Sequence, residues 1–433
     1  MKTHRMIAAA LVCAAPVLGA QSLVIRNATV VPVTGPRIPN ATIVVQNGRI
    51  AAIGPNLPIS SDATVIEGSG LFVYPGLIDS GTRLGLTEVG GVPGPDDTRE
   101  LGEFNPQDVV LTAVNPSSEH IAITRANGIT SAITSATGGL VSGIAALIDL
   151  AGWTPNDMAA KARAGMVVNW PSAAPPRGFG GFGFGPPRSP AERQAEYVRQ
   201  VRDIYRYFDD ARAYAEVKAR ATANGATLPT SFRIDLKMEA LTPVVRGEMP
   251  VIVEASNAQQ IRDALTFADS AKVRIVIRGG TEAWQLADAL AAKRVPVVIA
   301  PLTSVPGGDE PYDAVYANPG VLSKAGVLIA FESGSASSAR DLPYHAGLAE
   351  AFGLSGDDAL KAITINPAKI WGVDKDYGSI EAGKVANLIV TTGDPIDIRS
   401  LIKEVIVRGQ RMPFNDRHTR LYEQYRARPK PKP

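Results

Sequence analysis

Seven short apolar runs, each alternating with a stretch of helical periodicity, constrain this chain more than any other feature. They lie at residues 72–78, 129–133, 166–169, 251–253, 274–277, 295–299 and 327–331. A strand that is apolar at successive positions, not at every second one, is covered on both faces. That is the condition of a parallel sheet flanked by helices. Residues 144–148 offer an eighth run, and eight such strands close into a (β/α)8 barrel. At 433 residues the chain is long enough for that barrel and one small appended domain.

The two ends of the chain read differently. Residues 22–32 are rich in β-branched side chains, and the runs 43–46 and 49–53 meet across Asn47-Gly48. Asn-Gly favours a type I′ hairpin because both central residues need positive φ. Near the C-terminus, 386–390 and 403–409 are further strands, preceded by turn residues at 378–384. Neither end can bury a β core alone, so 21–72 and 377–412 are expected to pair into one composite β-sandwich around the barrel of 73–376. Inside the barrel region, 171–190 holds Gly-Phe-Gly-Gly-Phe-Gly-Phe-Gly, an insertion too poor in large residues to form an element. It follows a barrel strand, so it is expected at the C-terminal face, as a lid, a partner patch or an irregular loop. An amphipathic helix follows, with Tyr197, Val201, Ile204, Phe208, Ala211 and Ala215 on one stripe.

Residues 1–20 have the form of a secretory signal. Lys2 and Arg5 precede an apolar stretch, and Gly19-Ala20 supplies small residues before Gln21. The expected location is therefore the periplasm or the medium. The one cysteine, Cys13, falls in this leader, so the mature chain would have no thiol chemistry. Formal net charge is +2, and removal of Lys2 and Arg5 makes the chain neutral, which gives no electrostatic case for nucleic acid. No later run is long and apolar enough to span a bilayer. Residues 413–433 form a basic, Pro-rich tail.

The segment Val73-Tyr74-Pro75-Gly76-Leu77-Ile78-Asp79 resembles the first barrel strand of the amidohydrolase superfamily. Gly48-Arg49-Ile50, Ala126-Asn127-Gly128-Ile129-Thr130 and the stretch from Ala359 to Ala368 are similar to further motifs of that family. So are Gly378-Ser379-Ile380 and Gly383-Lys384-Val385-Ala386-Asn387-Leu388. The nearest likeness is to the imidazolonepropionase-like branch. Asn387 stands where the family has an aspartate, a departure expected at the surface. The resemblance implies a metal-dependent hydrolase of C–N bonds other than peptide bonds, in cyclic or linear amides. Histidines and a carboxylate would hold zinc or a similar divalent ion and lower the pKa of its bound water.

Those ligands are substituted. Carried over one by one, the His-x-His places are Gly81 and Arg83. The fifth-strand histidine is Glu254, the sixth-strand histidine Gly279, and the eighth-strand aspartate Gly334, or Glu332 if the register slips by two. Lys237 does not read as a bridging lysine, because its neighbours are helical. Of four histidines, His4 is in the leader and His418 in the tail; His120 precedes a barrel strand, while His345 follows the last one and could approach the site. The expectation is a protein with no metal or other cofactor. Arg83 and Glu254, of opposite charge at converging strand ends, are expected to pair. Glu254, Arg83, Glu332 and His345 are the candidate site residues, with Asp79 a structural member of its motif. Two functions follow: a non-catalytic member that binds a small molecule, a metal-bearing paralogue or a second copy of itself, or a hydrolase of C–N bonds.

Overall fold

The computed structural model describes residues 22–429 apart from 90–93, 95, 175–188, 224–226, 229–231 and 304–309. The leader and most of the 171–190 insertion lie outside the described residues. The chain opens with five strands: β1 (Leu23–Val30), β2 (Ile38–Gln46), β3 (Arg49–Gly54), β4 (Thr64–Glu67) and β5 (Phe72–Pro75). Eight barrel strands follow: β6 (Leu77–Thr82), β7 (Ile129–Thr134), β8 (Val141–Asp149), β9 (Ala159–Asn169), β10 (Val251–Ala255), β11 (Ile275–Gly279), β12 (Val297–Ile299) and β13 (Ile329–Phe331). Then come β14 (Leu388–Thr391), β15 (Ile402–Val407) and β16 (Gln410–Arg411).

Both chain ends build one hydrogen-bonded sheet in the order β16-β15-β14-β5-β1-β2-β3, with β4 beside β1. The junction is the antiparallel β5–β14 pair, Val73 opposite Val390. Asn47 and Gly48 take positive φ (52° and 76°) at the β2–β3 turn, as Asn-Gly chemistry requires. Alternate residues Leu23, Ile25, Ile43, Val45, Leu388 and Val390 close one core. On the opposite face Tyr74, Ile389, Val405 and Val407 pack into the barrel's outer core.

The run 72–78 is not one barrel strand. It leaves the terminal sheet at Pro75 and enters the barrel at Leu77, with Gly76 as the pivot. A Cβ on Gly76 would collide with the side chain of Thr130 on the neighbouring strand. The barrel sheet runs from β6 to β13 in chain order. The residues 144–148 do belong to a strand, β8, but it is antiparallel to both β7 and β9. The link 135–140 is too short for the helical crossover that a parallel neighbour needs. Closure between β13 and β6 rests on the Ala359–Ala368 stretch and the strand ends. Ile78 N–H donates to Ile363 O (2.8 Å), Phe331 N–H to Ala362 O (3.3 Å), and Gly334 N–H to Gly81 O (2.9 Å).

The helix Pro190–Ala221 starts on a capping box between Ser189 and Glu192, with Pro190 in its first turn. It buries Ile204, Phe208, Ala211 and Ala215 of the expected stripe. Lys237 sits in the helix Leu236–Val245, as its neighbours suggested. The basic tail is not featureless: Arg417–Arg426 is a helix capped by Asp416, and Arg420 pairs with Glu119 at 2.9 Å. Among the described residues no helix is long and apolar enough to cross a membrane.

Candidate functional site

Barrel strands send every second side chain inward. Ile78, Ile133, Val167, Ile252, Val276, Val298 and Ala330 fill the interior as one core, joined by Trp371, whose ring N–H donates to Ser80 Oγ (3.2 Å). Two residues further along their strands come Ser135, Asn169, Glu254, Arg278 and Glu332. With Gly81, Thr82, Arg83, Thr137 and Gly334 they line a cavity of about 300 Å3 at the C-terminal strand ends. Apolar packing below and polar groups above give this end of the barrel its chemistry.

Arg278 is the centre of that layer and is 5% exposed. Its Nη2 forms an ion pair with Glu254, its Nη1 donates to Ser135 Oγ at 2.8 Å, and its Nε lies 3.6 Å from Glu332 Oε2. The expected Arg83–Glu254 pair is therefore not the one that forms. Strands β10 and β11 hold Glu254 and Arg278 as direct neighbours in register, one strand spacing apart. Arg83 lies beyond the end of β6, and among the described residues it has no carboxylate oxygen within 4 Å. The sixth-strand place assigned to Gly279 is also one residue off, since Gly279 pairs with Ala255 and Arg278 holds the inward position.

Glu332 occupies space that Gly81 leaves open. A Cβ built on Gly81 would land on the Glu332 carboxylate, so the two positions are complementary. Burial pushes Glu332 up to about 8. The charge of Arg278 opposes that rise, while Glu254 and Asp79 add to it. Asp79 is fully buried, and Oδ1 accepts from the backbone N–H of Gly81 and of Ser333, both at 3.1 Å. Those bonds stitch β6 to the chain after β13, which gives Asp79 a structural place. Among the described residues its Oδ2 has no hydrogen-bond partner, and burial raises the carboxyl to about 7 against the pull of the Ser333 hydroxyl, those backbone donors and Arg278. Burial disfavours the charge on Arg278 as well, but Glu254 and Glu332 outweigh it and hold the guanidinium charged.

Of the four candidates, Glu254, Arg83 and Glu332 meet in the cavity; His345 does not. It is buried in the helix Leu342–Ala351, its Nε2 without a partner among the described residues, and burial lowers its pKa although nearby Asp341 opposes this. His120, at the start of its helix, contacts the Glu88 carbonyl at 3.0 Å, outside the cavity. Sequence reasoning missed Arg278, although a signal was present. Counting by twos from Val276 puts Arg278 inward, and a charge at an inward position of an apolar run marks a site.

These residues do not fit a divalent metal. No histidine is among the residues that line the cavity, and a guanidinium already sits between the two carboxylates. Among the described residues no three His, Cys, Asp or Glu side chains converge as a ligand group.

Residues 315–414 match the amidohydrolase family model, a stretch that runs from before β13 to beyond β16 and includes Glu332. An amidohydrolase from Thermotoga maritima MSB8 superposes with a TM-score of 0.78 and 28% identity, over 90% of this chain and 99% of that one. The fold is the amidohydrolase fold. Molinate hydrolase shares it at TM-score 0.57 and 16% identity, over 91% and 95% of the chains. An adenosine deaminase from Xanthomonas campestris, solved with bound zinc, shares it at 0.51 and 17%, over 94% and 97%. In sequence, an N-substituted formamide deformylase from Arthrobacter pascens is 52% identical over 44 residues. That match spans 10% of this chain and only 8% of the deformylase.

A second polar cluster ties the barrel to the terminal sheet of this amidohydrolase fold. Asp149, fully buried at the end of β8, accepts from Arg408 Nε (2.5 Å), Ser131 Oγ (2.7 Å), Asn387 Nδ2 (2.9 Å) and Tyr377 OH (3.0 Å). Asn387, expected at the surface, is thus buried. Its Oδ1 accepts from Arg408 N–H at 2.8 Å, so both ends of the amide are used. An aspartate there would set a second carboxylate against Asp149.

Proposed function

We propose that this protein is a non-catalytic, metal-independent binding member of the amidohydrolase fold. The observation that supports this reading is Arg278. Its guanidinium stands between Glu254 and Glu332 and supplies the positive charge that a metal ion would otherwise bring to that layer. Such a triad holds its own charges in balance and leaves no open Lewis-acid position. We infer in addition that the chain is exported on the leader at 1–20, the mature protein beginning near Gln21. The partner of the binding role is a small molecule in the cavity; a second copy or a metal-bearing relative would be its macromolecular form.

A second reading, hydrolysis of a C–N bond, is favoured by the likeness to the Thermotoga amidohydrolase along almost its whole length. Glu332 and Asp79 would then be its proton-holding groups, since both retain protons near neutrality. One experiment separates the two. Protein purified without chelators is assayed for bound metal and for hydrolysis of formamides, N-acyl amino acids and dipeptides, with and without added zinc. The binding reading expects well under one metal per chain and no turnover above buffer. One tightly held zinc per chain, or zinc-stimulated turnover, would overturn it.

A further inference from the structure

The cavity at the strand ends has unspent groups of both signs. Arg278 is occupied by Glu254, Glu332 and Ser135, and the Thr82 hydroxyl is spent on Ile133 O and Leu84 N–H. Asn169 spends its amide hydrogens on Gly138 O, Gly139 O and Ser142 Oγ, and its Oδ1 has no hydrogen bond among the described residues. One carboxylate oxygen of Glu254 holds Arg278; the other has no such partner among the described residues, and the side chain is 28% exposed. Arg83 is the lining cation with no ion pair among the described residues; Asp96 and Glu332 act on it only from beyond 4 Å. None of the ten lining residues is an aliphatic or aromatic hydrophobe. Ligand cavities are usually mostly apolar, so a lining of this kind, at the small end of their size range, suits a small and highly polar molecule.

Resting on the metal-independent reading above, we propose that the cavity binds a small zwitterion of the α-amino acid type. Its carboxylate sits on Arg83, and its ammonium on Glu254 and the amide oxygen of Asn169. A planar guanidinium matches a carboxylate in two parallel hydrogen bonds. An ammonium has three donors and no acceptor, which suits a carboxylate oxygen and an amide oxygen. A dianion would face Glu254 and Glu332 unfavourably, and a bare amine would leave Arg83 unmatched. The absence of apolar lining selects small or polar side chains, such as those of glycine, alanine, serine and asparagine.

The test is calorimetric titration of the full mature chain with those four amino acids, leucine and phenylalanine. Alaninamide and N-acetylalanine, in which one charge is removed, complete the set. The expected result is binding of the small zwitterions, with each blocked analogue weaker by roughly tenfold to a hundredfold. Arg83→Ala should lose affinity by a similar factor and keep the wild-type melting temperature, because Arg83 holds no ion pair among the described residues. Arg83→Lys should recover part of the loss. Equal binding of alanine and alaninamide, unchanged affinity in Arg83→Ala, or no binding of any zwitterion would overturn the proposal. The metal and turnover assays remain separate: a metal-free, inactive protein that ignores zwitterions sinks only this proposal, and a zinc enzyme sinks the reading beneath it.

Discussion

Glu332 and Asp79 owe their raised titration to burial, which outweighs the opposing charge of Arg278. Both carboxyls titrate higher in the folded protein, at about 8 and about 7 against ordinary values of 4.5 and 3.8. Across that window the folded chain holds more protons than the unfolded one. Their contribution to stability is therefore full below about pH 4 and is lost as pH rises through about 7 to 8. Glu332→Gln should flatten the fall of the urea midpoint over that range relative to the wild type; parallel curves would contradict the assignment. Arg278→Ala leaves Glu254 and Glu332 without their shared cation and should cost about 3–5 kcal/mol in urea denaturation at pH 8. A loss below about 1 kcal/mol would mean that water reaches the pair. At the other cluster, Asn387→Asp sets two carboxylates face to face in a buried site. It should destabilise the fold by about 1–3 kcal/mol or more near pH 8, and less in acid, where one of them can hold a proton.

At the scale of elements, the decisive feature is the change of sheet within one apolar run. Gly76 allows β5 and β6 to belong to different sheets because the Thr130 side chain fills the place of a Cβ. Gly76→Ala must displace a β-branched residue on a central strand and is expected to cost about 1–3 kcal/mol in thermal or urea melts. An unchanged melting temperature would show that the junction can relax. The reversal of β8 acts at the same scale. It brings Asp149 to the end of the barrel that faces the terminal sheet, where Tyr377, Asn387 and Arg408 reach it.

Across the whole molecule, the two chain ends and the barrel form one interdependent unit. β14 lies between β5 and β15, and Asp149 of the barrel takes three of its hydrogen bonds from beyond residue 376. A chain ending at residue 376 would strip β5 of its antiparallel neighbour and leave Asp149 buried with only Ser131. It should fail to give a cooperative melt. The intact chain should unfold in a single transition by circular dichroism and fluorescence alike; two separated transitions would show that the terminal sheet stands alone.

Much of this organisation is written locally. Apolar runs of strand length, Asn47-Gly48 and the apolar stripe from Tyr197 to Ala215 each act through nearby residues, so the barrel, the hairpin and the long helix are legible in the sequence. The family resemblance, carried over place by place, also reaches Glu254, and with a slip of two it reaches Glu332. What escapes such reading depends on partners distant in the chain. Strand register makes Arg278, not Arg83, the neighbour of Glu254. Closure of β13 on β6 lets the Glu332 carboxylate fill the space beside Gly81. The reversed β8 carries Asp149 to Asn387 and makes a position that looks superficial into a buried amide. A sequence specifies apolar periodicity through local geometry, but the pairing of a buried charge is settled by which strands stand side by side and how far each has slid.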